Sequence, residues 1–128
     1  MRKIAAIDIG SNAVRMLICY VLMNEDEYFF QKNQYIRLPL RLGEDSFITG
    51  SISDDKINTL SNALLSFKHT MKVHGVEHYQ IYATSALRDS KNSNDVIKQI
   101  YDLTGMKIKL IDGLKEAKVI AMGNPIEK

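Results

Sequence analysis

The feature that most constrains the fold is the run over residues 3–22, KIAAIDIGSNAVRMLICYVL. Two almost wholly apolar segments are split by Gly10, Ser11 and Asn12. Continuous apolar runs of this length read as buried strands. Gly and Asn tolerate positive φ, so residues 3–9 and 13–22 are expected to pair as an antiparallel hairpin. A second turn at 23–26 leads to residues 27–38, which are aromatic but more polar, as an edge strand should be. Three consecutive antiparallel strands therefore open the chain.

Residues 39–51 read as a loop holding Arg41-Leu42-Gly43. A long helix is expected next. Ser53 is a good N-cap, with Asp54 and Asp55 facing the helix dipole. Ile57, Leu60, Leu64, Phe67 and Met71 then recur at three- and four-residue spacing, one apolar stripe that ends before Gly75. Residues 78–84 read as a strand, 94–103 as a helix ended by Gly105, 107–111 as a strand and 114–122 as a third helix. The order is β-β-β-α-β-α-β-α. It describes an α/β chain with a mixed five-stranded sheet and helices on its faces, its second half joined by right-handed crossovers.

At 128 residues one domain is expected. The net charge of +2 supplies no field that would draw nucleic acid or an acidic membrane. No apolar run reaches the roughly 20 residues of a membrane span. Asp8 interrupts the first apolar run too early for a signal peptide. Cys19 has no second cysteine to pair with and reads as a small core residue. A cytoplasmic protein is the expectation. His69, His74 and His78 do not form a metal set, because Gly75 separates the last from the helix.

Five features could carry chemistry. Asp8 shares a strand face with Ile4 and Ala6, and a carboxylate at the end of an apolar strand is costly unless paired or metal-bound. The alternative is that it hydrogen-bonds the following turn. Gly10, Ser11 and Asn12 could present successive backbone N–H groups to an anion, or simply close a hairpin. Arg15, in an apolar strand, needs a partner, either Asp8 or an anion. Arg88 follows Ala83-Thr84-Ser85-Ala86-Leu87 at the end of a parallel strand, where α/β folds place ligands; a solvated Arg at a helix start is the alternative. Glu116 opens the third helix, where an acid is also favoured for purely structural reasons.

Together these stretches resemble the N-terminal domain of the exopolyphosphatase / guanosine pentaphosphate phosphatase family. AAIDIGSNAVRMLI is similar to its opening strand, phosphate loop and second strand. RLPLRLGEDSFITGSISDDKI is similar to its R-L-G segment, ATSALRDSKN to its A-T-x-A-x-R-x-A-x-N motif, and IKLIDGLKEAKVIAMG to its I-x-G-x-x-E-A motif. The resemblance covers nearly the whole chain. It implies a ribonuclease H-like lobe of the actin / sugar kinase / heat-shock ATPase fold. Residues 1–123 would form the lobe, and 124–128 a tail leading to a second lobe.

The resemblance also implies roles. Gly10, Ser11 and Asn12 match the first phosphate loop, and Asp8 the acid beside it, an anchor for Mg²⁺. Arg88 matches the arginine that contacts terminal phosphates. Glu116 matches the general base for the attacking water, and Arg15 a supporting arginine. Ala13, Lys115 and Asp112 depart from the pattern, and Lys115 alters the charge near Glu116. The implied reaction is hydrolysis of a phosphoanhydride, with inorganic polyphosphate or guanosine pentaphosphate as partner and no nucleic acid or membrane. A homodimer of the full-length protein is compatible with it.

The family's second lobe begins with a D-I-G-G-G-S loop, expected roughly 10–25 residues beyond Lys128 from typical connection lengths. Without that lobe the cleft has one wall, and the 128-residue chain is expected to be inactive alone. Two other readings stay open: a module that binds polyphosphate or an alarmone without hydrolysis, and an actin-like or sugar-kinase ATPase lobe.

Overall fold

The computed structural model of the chain describes residues 2–111. Strands β1 (Arg2–Ile9), β2 (Val14–Asn24) and β3 (Glu27–Leu38) open it. Helices α1 (Gly43–Thr49) and α2 (Asp54–His74) follow, then β4 (His78–Ala83), α3 (Ser85–Arg88), α4 (Ser93–Thr104) and β5 (Lys109–Leu110). The sheet order is β3-β2-β1-β4-β5. β1–β2 and β2–β3 pair antiparallel, while β1–β4 and β4–β5 pair parallel. This is the mixed five-stranded sheet expected of a ribonuclease H-like lobe.

Alternation along the strands creates the core. Ala5, Ile7 and Ile9 of β1, Met16 and Ile18 of β2, and Ile81 and Ala83 of β4 are buried in one cluster. The whole α2 stripe, Ile57, Leu60, Leu64, Phe67 and Met71, joins that cluster, as do Val96 and Ile100 of α4. Each large side chain buried this way contributes about 1.5–3 kcal/mol. The ends of α2 are fixed as its sequence implies. The Ser53 side chain accepts the Lys56 N–H, and Gly75 takes φ +74 as the left-handed C-cap. No described helix is long and apolar enough to cross a membrane.

Several local expectations are corrected. The loop over 39–51 contains α1, whose chain enters through Arg41 at φ +55. A further short helix, α3, follows β4 directly. The fifth strand is only Lys109–Leu110, because the pairs Tyr82↔Lys109 and Ala83↔Leu110 are its whole ladder. Residues 10–12 do close an antiparallel hairpin, but none of them has positive φ. The last ladder pair is Ile9↔Val14, so residues 10–13 form the connection; the Gly10 N–H donates to the Ala13 carbonyl at 2.9 Å within it, and no residue there is left-handed. Gly10 relieves crowding instead, since a Cβ there would lie 3.2 Å from the Ala13 oxygen, tighter than ordinary contact. The expected third helix over 114–122 lies outside the described residues.

Candidate functional site

Parallel pairing of β1 with β4 brings their C-terminal ends side by side, with Ile9 opposite Ala83. The β1–β2 loop and the start of α3 therefore meet. The Ser11 and Ser85 hydroxyls are hydrogen-bonded at 2.9 Å. Behind them the Thr84 N–H donates to the Ile9 carbonyl at 3.1 Å, and the Thr84 side chain is buried. On the other side the chain entering α1 grips the same loop. The Arg41 N–H donates to the Asn12 carbonyl and the Gly43 N–H to the Ser11 carbonyl, both at 2.9 Å. A Cβ at Gly43 would stand 3.4 Å from the Ser11 Cβ, the edge of ordinary contact, and 2.8 Å from the exposed Phe47 ring. The R-L-G segment thus fixes the position of the loop.

With its carbonyls held from one side, the loop keeps the Ser11 and Asn12 N–H groups without a protein acceptor among the described residues. The Gly10 N–H is used internally. The loop borders a cleft of about 330 Å³ lined by Asp8, Ser11, Asn12, Arg15, Arg37 and Ser85, among others. Asp8 and Arg15 are direct cross-strand partners and form an ion pair. The Asp8 hydrogen bond is the main reason the Arg15 pKa is raised, against the opposing effect of burial. That bond uses Asp8 Oδ2; Oδ1 is buried with no hydrogen-bond partner. A buried unpaired carboxylate oxygen costs free energy unless something else satisfies it.

No group of three or more His, Cys, Asp or Glu among the described residues could hold a metal ion. A single free carboxylate oxygen is nonetheless what Mg²⁺ uses when phosphate and water supply its remaining ligands. Asp8 fits that donor set.

The structure therefore brings together Asp8, Gly10, Ser11, Asn12 and Arg15. Arg88 stands apart from the cleft lining. Its Nη1 donates to the Ile111 carbonyl at 3.0 Å, and its Nε to Asp89 Oδ1 at 3.1 Å. The hydrogen bond from Arg88 lowers the Asp89 carboxyl from its usual pKa. Glu116 lies outside the described residues. Sequence reading missed Arg37, and it gave Thr84 and Ser85 no role of their own; position at the end of β4 was the available signal for those two.

The sheet order and the loop joined to the end of β4 define a ribonuclease H-like lobe of the actin-like class. Residues 22–124 match the model of the Ppx/GppA phosphatase family, and the chain belongs to that family. It is 35% identical over 118 residues to a bifunctional 3-dehydroquinate synthase/phosphatase of Fusobacterium nucleatum, covering 90% of this chain and 18% of that protein. It is 28% identical over 131 residues to exopolyphosphatase 2 of Mycobacterium tuberculosis, covering 96% of this chain and 40% of the relative. The solved exopolyphosphatase of Cytophaga hutchinsonii superposes with a TM-score of 0.82 at 24% identity, over 92% of this chain and 36% of that one. The chain thus spans less than half the length of these relatives.

Proposed function

We propose that this chain is the phosphate-binding lobe of a phosphoanhydride hydrolase. Its substrate would be inorganic polyphosphate, guanosine pentaphosphate or both, and its product the released terminal phosphate. The observation that carries the reading is the convergence, in one cleft, of two unused backbone N–H groups, Arg15 and a carboxylate with a free oxygen. Family membership and an exopolyphosphatase among the relatives support it.

Phosphoryl transfer needs charge neutralisation, in-line positioning and an oriented nucleophile more than covalent help. The Ser11 and Asn12 N–H groups would hold phosphate oxygens, and Arg15, paired with Asp8 Oδ2, would support the carboxylate beside them. Asp8 Oδ1 would anchor Mg²⁺, which when bound offsets the charge of the phosphates. By the family resemblance alone, Arg88 would contact the terminal phosphates and Glu116 would act on the attacking water as general base. Residues 1–123 would act with a second lobe reached through 124–128, which closes the cleft.

Phosphate release by the complete protein, with polyphosphate and with guanosine pentaphosphate, tests this. Glu116→Gln should lower turnover by about 100-fold or more while binding persists. Binding without turnover in the unmodified complete protein would establish a binding module instead. The 128-residue chain alone should release no phosphate.

A further inference from the structure

A row of side chains crosses the rim of the sheet above the cleft. Tyr82 of β4, Asp8 of β1, Arg15 of β2 and Arg37 of β3 are successive cross-strand partners. Directly opposed residues share a face, and like charges at such positions repel. Asp8 compensates Arg15. The Arg37 side chain forms no hydrogen bond or ion pair among the described residues, so within them the pair Arg15–Arg37 leaves one guanidinium uncompensated at the cleft.

Arg37 also joins two spaces. The first is the cleft over Asp8 and the β1–β2 loop. The second, of about 590 Å³, shares Ser11, Asn12 and Arg37 with it and continues past Pro39 to Arg41 and Glu44. Beyond Arg37 the groove is less cationic, because Arg41 Nη1 faces Glu44 Oε1 at 3.5 Å. The uncompensated charge therefore sits one strand away from the two free N–H groups, where an anion longer than one phosphate leaves the cleft.

We propose that Arg37 determines specificity for condensed phosphate. It binds the second phosphate of a linear chain whose terminal phosphate lies on the Ser11 and Asn12 N–H groups. A guanidinium suits this task because its fork matches phosphate oxygens. The inference rests on the phosphate-binding reading of the cleft given above.

The test is a titration of the 128-residue chain with orthophosphate and with tripolyphosphate, in metal-free buffer at low salt, followed by amide NMR shifts. The wild type should bind tripolyphosphate about tenfold more tightly than orthophosphate, the size of one charge-assisted contact. Arg37→Gln should abolish that preference and leave orthophosphate affinity within about twofold, and Arg37→Lys should restore part of it. Arg37 is exposed, so circular dichroism of the variants should match the wild type. An unchanged preference in Arg37→Gln, or a proportional loss for both anions, overturns the proposal while the loop stands as a phosphate site. Equal wild-type affinity for the two anions does the same. No shift at Ser11 and Asn12 with either anion overturns both readings.

Discussion

Ser11 and Ser85, 74 residues apart in sequence, meet hydroxyl to hydroxyl at 2.9 Å and tie the β1–β2 loop to the start of α3. The bond couples the two segments that parallel pairing merely brings close. Ser11→Ala and Ser85→Ala should each weaken orthophosphate binding, and the double variant should cost less than the sum. A net hydrogen bond of this kind is worth about 0.5–1.5 kcal/mol, which sets the expected coupling. Strict additivity in a double-mutant cycle would mean that the contact does not order the loop.

Asp8 has two oxygens with different fates, one on Arg15 and one buried without a partner. Asp8→Asn removes the ion pair, in which Arg15 is 39% exposed and Asp8 14%. Solvent screens such a pair to about 0–1 kcal/mol. The same change removes a desolvated charge, so unfolding free energy should move by less than about 1 kcal/mol. Mg²⁺ binding, measured by calorimetry on the complete protein, should be lost over the range that saturates the wild type. Unaltered Mg²⁺ binding would leave Asp8 with a structural role only.

Burial pushes the Cys19 thiol above its ordinary pKa, and Lys32 only partly opposes this. The folded value then exceeds the unfolded one, so the neutral thiol's contribution is complete below the unfolded pKa of about 8.5. It is lost as pH rises towards the folded value. Urea midpoints should therefore fall between about pH 8 and pH 10, and fall less in Cys19→Ala. The Arg15 shift has the same sign but acts only above the ordinary arginine range, so it adds no slope there. Identical slopes in the wild type and Cys19→Ala would contradict the assignment.

Most of the frame was legible because period and punctuation agree. The α2 stripe, its Ser53 cap and its Gly75 stop came from residue spacing, and all three are present. Short helices α1 and α3 were missed because four to seven residues give no period to read, and tertiary contacts with the β1–β2 loop and β4 stabilise them. Arg37 was missed for a register reason. Counting back from the Asn24↔Glu27 turn pair would set Ile36 opposite Arg15. The irregularity between Ile18 and Cys19 leaves Asn33 of β3 without a register partner in β2, and the shift sets Arg37 opposite Arg15 instead. A one-residue slip exchanges the faces of a strand, and a bulge is rarely visible in sequence alone.

Two glycines separate fold from site. Gly75 holds φ +74 at the end of α2, far from the cleft lining. Gly75→Ala should destabilise by about 1 kcal/mol through left-handed backbone strain. Orthophosphate shifts at Ser11 and Asn12 should not change. Gly43 has no such φ, and its value lies in close approach. The Phe47 ring it would strike is 71% exposed and can swing away, so Gly43→Ala should cost little. Gly43→Val is different, because the added methyls press towards Ser11, which Gly43 and Ser85 hold on two sides. The loop should move before the core does. Gly43→Val is therefore expected to lose phosphate shifts at nearly wild-type urea midpoint, the opposite of Gly75→Ala. Parallel losses of binding and stability in both variants would show that the loop and the core do not separate.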